Sequence, residues 1–180
     1  MEGRELGFKF LTGAGVGGFL AFLFVIAFFP ISISPWFSVT VLIAGSVAGG
    51  AVFILIKKNF VSSSISYLSG LGTSFAIVLT SLLGVDRVTT LAFAFMAVSL
   101  VPLYVFKPVS LLDAVLVVVD YPGGMITVLG LAGASGMLTL EAGFMIPFIA
   151  LIGAFSALTI AVVLYLLHVK VSNIKPNLKP

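Results

Sequence analysis

Cysteine and glutamine are absent from this chain of 180 residues, asparagine occurs three times, and histidine occurs once, as His168. The lack of cysteine excludes disulfides, iron–sulfur clusters and thiolate metal sites together. A single histidine excludes bis-histidine haem and histidine-rich metal centres, and no cofactor or metal is expected. Charge is just as scarce. Only 8% of the residues are charged and 61% are apolar, with a mean hydropathy of +1.31, whereas soluble domains carry about 25% charged residues. A surface facing water cannot be covered with so little charge. The solvent predicted by this composition is a lipid bilayer.

The net charge of +3 does not point to nucleic acid. The basic residues are scattered at the ends of apolar segments, and no basic run with interleaved aromatics exists. One helical span needs ~20 apolar residues to cross ~30 Å of hydrocarbon, so the length has room for about six. The apolar segments run from Phe8 to Phe29 (closed by Pro30), Trp36 to Ile56, Val61 to Leu83, Val88 to Phe106, somewhere between Val109 and Leu140, and Phe144 to His168. The first is too long for a signal core and has no small-residue cleavage site, so it reads as a retained span. The expected fold is all-α, a single membrane-embedded domain over residues 1–180.

Lysine and arginine give an independent check. With the N-terminus inside, Arg4, Lys9, Lys57, Lys58, Lys107, Lys170, Lys175 and Lys179 fall on the inner side, and only Arg87 falls outside, beside Asp86. This is the asymmetry of the positive-inside rule. It predicts six spans in the cell membrane with both termini cytoplasmic.

Gly13 and Gly17, and again Gly45 and Gly49, have the GxxxG spacing that lets helix backbones approach closely. These faces predict either packing within the chain or assembly into a homo-oligomer or larger membrane complex. The remaining expected partner is the bilayer itself, with Trp36, Tyr104 and Tyr165 at headgroup depth.

The fifth segment is the most informative. Between Lys107 and Glu141 lie 33 residues, ~50 Å as a straight helix, too long for the bilayer core. Pro122 removes a backbone donor and Gly123 and Gly124 loosen the chain, so a break or hinge is predicted near Asp120–Gly124. Segment 109–120 then either spans, re-enters or lies at the interface. Asp113 and Asp120 are two helical turns apart and share a face. An ionised Asp at the bilayer centre costs ~2.5–3.5 kcal/mol on insertion scales, so this face should look inward, toward protein or water.

A carboxylate beside a broken helix has the character of an ion or proton site of a transporter. The alternative makes Asp120 a cap for a second half-helix, or sets both aspartates among headgroups. In the third segment Ser62, Ser66, Ser69, Thr73 and Thr80 follow a helical stride. They could line a hydrated path with Asp120 and Asp113, or bond to neighbouring backbones.

GASG, residues 133–136, resembles the GxSG motif of rhomboid intramembrane proteases. Ser135 and His168 nevertheless fall at opposite membrane faces in this threading, and a nucleophile must reach its base. DYPGG is not the GxGD of aspartyl intramembrane proteases. No enzyme is indicated. The function expected is a small transporter or transport subunit, with an accessory subunit of a membrane complex as the other reading.

Overall fold

A computed structural model describes residues 3–28, 34–58 and 60–174. They form seven helices: α1 (Gly3–Phe28), α2 (Pro35–Ile54), α3 (Val61–Leu82), α4 (Val88–Ser99), α5 (Pro102–Val105), α6 (Leu111–Ala134) and α7 (Leu140–Ile174). No strand occurs among the described residues. Five segments are long and apolar enough to cross a membrane: α1, α2, α3, α6, and Val88–Val105, which joins α4 to α5. Their outer faces carry Leu20, Val47, Phe75 and Val98, each more than half exposed, an apolar belt that water would not tolerate. The expected close of the first span at Pro30, and the tail lysines Lys175 and Lys179, lie outside the described residues.

The helices meet through backbone contacts. A Cβ on Gly13 would overlap the Gly49 carbonyl and one on Gly17 the Gly45 carbonyl, and the reverse substitutions would do the same. The two GxxxG faces therefore bind α1 to α2 inside one chain. Of the two roles expected of these glycines, packing within the chain is the one their contacts fill.

The predicted fracture of the fifth span is also corrected. α6 is one α-helix of 24 residues, about 36 Å long, and it runs through Pro122 without interruption. The excess length of the segment is taken up at its ends. Ser110 caps the start of α6, its hydroxyl accepting from Asp113 N at 3.2 Å. At the other end Gly136, with φ of 72°, closes a Schellman turn: its N–H donates to Gly133 O at 3.2 Å and Met137 N to Ala132 O at 2.9 Å. GASG is thus a helix stop, and Ser135 Oγ donates to Ala132 O at 3.1 Å.

Hydroxyls of α3 hold α6 around its proline. Ser66 Oγ donates to Val117 O at 2.7 Å and Ser74 Oγ to Met125 O at 3.1 Å, on either side of Pro122. Neither donates to Val118, whose carbonyl Pro122 leaves without its helical donor; the two bonds instead tie α6 to α3 across the proline. Pro122, Gly123 and Gly124 make a slim surface: a Cβ on Gly123 would overlap the Gly15 carbonyl of α1, and one on Gly124 the Tyr67 carbonyl of α3. A Cβ on Gly70 of α3 would in turn overlap the Tyr121 carbonyl.

The interruption lies instead in the fourth span. α4 stops at Ser99 and α5 begins at Pro102, joined by i→i+3 bonds such as Val101 N to Val98 O at 3.1 Å and Leu103 N to Leu100 O at 3.1 Å. The core fills the space between α3, α4, α6 and α7, with Ile77, Ala92, Met96, Val117, Met125 and Ala157 all buried.

Candidate functional site

Asp120 is fully buried, with 0% of its surface exposed. It lies midway along α6, on the face that meets both α1 and α3. Ser63 Oγ donates to its Oδ2. Its Oδ1 is directed at the α1 backbone around Gly15 and Val16 and has no hydrogen-bond partner among the described residues. Gly15 makes this possible, because a Cβ there would run into the Asp120 carboxyl group and the Tyr67 ring. One carboxylate oxygen is held and the other is open, at the junction of three helices.

Asp113 sits two turns earlier on the same face and is 4% exposed. As the third residue of α6 it completes a variant of the capping box: its backbone N–H reaches Ser110 Oγ, while its Oδ2 accepts from Val109 N at 3.4 Å. Ser62 and the Ser63 backbone lie against its carboxyl group, and Lys58 stands nearby. Like Asp120, it leaves Oδ1 without a partner among the described residues. Asp113 also borders a cleft of about 250 Å³ formed by Val61, Ser62, Phe106, Lys107 and Val109.

The bundle ends are fixed by polar contacts. Ser64 Oγ donates to Phe8 O at 2.6 Å, and Lys58 Nζ to Ser110 Oγ at 3.3 Å. These bring the starts of α1, α3 and α6 to one end, where Lys57, Lys58 and Lys107 also gather. Thr139 N donates to Ser81 Oγ at 2.9 Å, which places the ends of α3 and α6 together at the opposite end.

The hydroxyls expected to line a path are distributed differently. Ser66 serves the α6 backbone. Thr73 Oγ1 lies 2.6 Å from Ser99 Oγ and 3.0 Å from Tyr121 Oη, and Ser99 lies 2.8 Å from Tyr121. This closed triangle joins α3, the end of α4 and α6 around Tyr121, without Asp120. Ser69 is half-buried and its carbonyl accepts from Thr73. Ser62 joins Asp113, and Thr80 bonds back to Ala76 O and Ile77 O of its own helix.

The residues that do meet Asp120 are Ser63, Gly15 and Tyr67, and sequence reasoning passed over all three. For Ser63 and Tyr67 the signal was the stride Ser63, Tyr67, Gly70, Ser74, Ile77, Ser81, at heptad spacing along the α3 face that packs on α6, whereas Gly15 of α1 lies outside that stride. A further polar atom, Ser46 Oγ of α2, is buried without a partner among the described residues. A Cβ on Gly18 of α1 would lie 2.7 Å from Ser46 Oγ and 3.5 Å from Thr127 Oγ1, so α1 carries polar neighbours at both Gly15 and Gly18. Among the described residues no group of three or more His, Asp or Glu side chains could hold a metal ion.

No family model, curated protein or solved structure matches this chain. Function has to be read from the site alone.

Proposed function

We propose that the chain is a six-span protein of the cell membrane, with both termini cytoplasmic, that moves a small solute or ion using Asp120 as its protonatable or cation-binding centre. The observation that carries this reading is the Asp120 carboxyl group, completely enclosed, with one oxygen bonded to Ser63 and the other against the α1 backbone without a hydrogen-bond partner among the described residues. A packing residue would not need to ionise: asparagine has the same shape and could keep the bond with Ser63 without the cost of a charge in hydrocarbon. Ionisable side chains inside membrane bundles are rare and mark substrate, ion or proton pathways. α7 supplies the sixth crossing, and the basic residues gathered at one end of the bundle support an inner location for that end.

The surroundings suit alternating exposure. α1 and α2 are joined by glycine contacts, as are α3 and α6, and the two pairs meet at Gly15 and Gly123 beside Asp120. Closed to both sides, the site has the character of an occluded state. Rocking one pair against the other would open it.

The test is reconstitution in liposomes with an internal pH-sensitive dye and a panel of external cations. Flux that Asp120→Asn abolishes, in a variant that still folds, is the expected result. The second reading, an accessory subunit, draws on the broad apolar face of α2, where Ile43, Val47 and Val52 are exposed. It predicts no flux, tolerance of Asp120→Asn, and purification with partner chains.

A further inference from the structure

Asp113 and Asp120 are built alike. Each is more than nine-tenths buried, each has one oxygen held and one unpartnered, and consecutive serines of α3 stand against them. They differ in access, since Asp113 borders the cleft at the lysine-bearing end and Asp120 is sealed.

We propose that the ion handled by Asp120 is a proton, that it is taken up from the inner cleft by Asp113, and that it passes to Asp120 through Ser63. This rests on the transport reading above. Protonated Asp113 releases its proton to the oxygen of Ser63, across a hydroxyl or a water of the cleft. Ser63 gives up the hydrogen it already shares with Asp120 Oδ2 and keeps the incoming one. One proton and one negative charge exchange places, Asp113 becomes the carboxylate, and the serine is unchanged.

The chemistry favours a proton over a metal cation. A hard metal ion needs about six oxygen ligands, and Asp120 offers one bonded and one open oxygen. Lys107 borders the cleft and Lys58 faces Asp113. Two ammonium groups disfavour any added cation, and what separates proton from metal is the ligand cage: a metal ion needs one, whereas a proton moves along a hydrogen-bonded chain without it. The charged and titratable groups facing the pair are few: Lys58 and Lys107 toward Asp113, the two carboxyl groups toward each other, and Tyr67 of α3 toward Asp120. From α1, the groups against Asp120 are backbone at Gly15 and Val16.

The experiment compares wild type with Asp113→Asn, Asp113→Glu, Ser63→Ala and Asp120→Asn in dye-loaded liposomes under an imposed pH gradient. Proton relays contribute about 10²–10⁴ to rates. Asp113→Asn, which keeps an acceptor for Val109 N–H, is expected to slow acidification at least about tenfold. Asp113→Glu should restore flux to within about threefold, and Asp120→Asn should abolish it. If Asp113→Asn runs at the wild-type rate while Asp120→Asn is inactive, the inner route is wrong and the central acid stands. Wild-type flux of a metal cation with no dye response refutes the proton. Absence of any flux removes the transport reading and this inference with it. Should Asp113→Asn fail to fold, Ser63→Ala decides, because it breaks the relay without touching the α6 cap: slowing supports the route and an undiminished rate overturns it.

Discussion

Replacing Asp120 by asparagine separates a working carboxylate from a structural one. The side chain is wholly buried, so its charge meets the interior of the bundle and not water. Ionisation at bilayer depth costs ~2.5–3.5 kcal/mol on insertion scales. Against that, a hydrogen bond to a charged group is worth about 1.5–3 kcal/mol and a neutral one about 0.5–1.5 kcal/mol, so asparagine forfeits roughly 1–1.5 kcal/mol at Ser63. The amide can turn its NH₂ toward the Ser63 hydroxyl, which accepts as well as donates, and keep its oxygen toward α1. The balance is a gain of about 1–2.5 kcal/mol, or roughly 2–10 °C in Tm for a chain of this size. Unfolding in mixed micelles with rising dodecyl sulfate, followed by circular dichroism, measures it. The expected pair of results is a more stable protein without flux. A loss of more than about 1 kcal/mol with flux intact would show that the carboxylate holds the fold together and carries nothing.

Gly123→Ala and Gly124→Ala each push a methyl group into a backbone carbonyl and should cost about 1–3 kcal/mol, read in the same unfolding assay. Gly72→Ala is the control: nothing lies within 4 Å of its Cβ, and helix propensity predicts a gain of up to about 1 kcal/mol. Gly49→Val should destabilise the chain by separating α1 from α2, without altering the mass of the protein–detergent particle in sedimentation. A change of oligomeric state at unchanged stability would contradict the intrachain pairing. Ser66→Ala should lose about 0.6 kcal/mol, the measured mean for interhelical hydrogen bonds, and no more than about 1.7 kcal/mol, the measured maximum. Pro122→Ala restores an N–H in an already continuous helix, so stability should hold or rise and flux should persist. Loss of flux at unchanged stability would return Pro122 to the role of hinge.

The helices were legible because lipid demands long apolar stretches with basic ends, and both signals are local. Val61 and Val88 begin α3 and α4 where hydropathy placed them, and Pro35–Ile54 lies within two residues of the expected second span at each end. Partners were not legible. Gly13 and Gly17 have the same spacing whether they meet another molecule or Gly49 and Gly45 of their own chain. The hydroxyl stride through Ser62, Ser66, Ser69, Thr73 and Thr80 described a single line along α3. The buried arc is wider because α3 packs against both α1 and α6, and it takes in Ser63, Ser64 and Ser74 as well.

The two prolines at Pro122 and Pro102 show why a breaking residue does not by itself locate a break. Each lacks an N–H, and each leaves a carbonyl four residues back without its normal donor. Around Pro122 the helix is enclosed: Gly15 and Tyr67 press on its backbone through the bare Cα atoms of Gly123 and Gly124, and Ser66 and Ser74 donate into it. Unwinding there would pull two helix contacts apart and leave hydroxyls without acceptors. Pro102 lies in a stretch whose neighbours Val98 and Val101 are 69% and 64% exposed. Nothing clamps that side, and the chain relaxes into tighter i→i+3 turns. The break therefore occurs at the exposed proline and not at the enclosed one. Pro122 stays helical because of the tight packing that also seals Asp120, and the same packing makes access through Asp113 the step on which transport would depend.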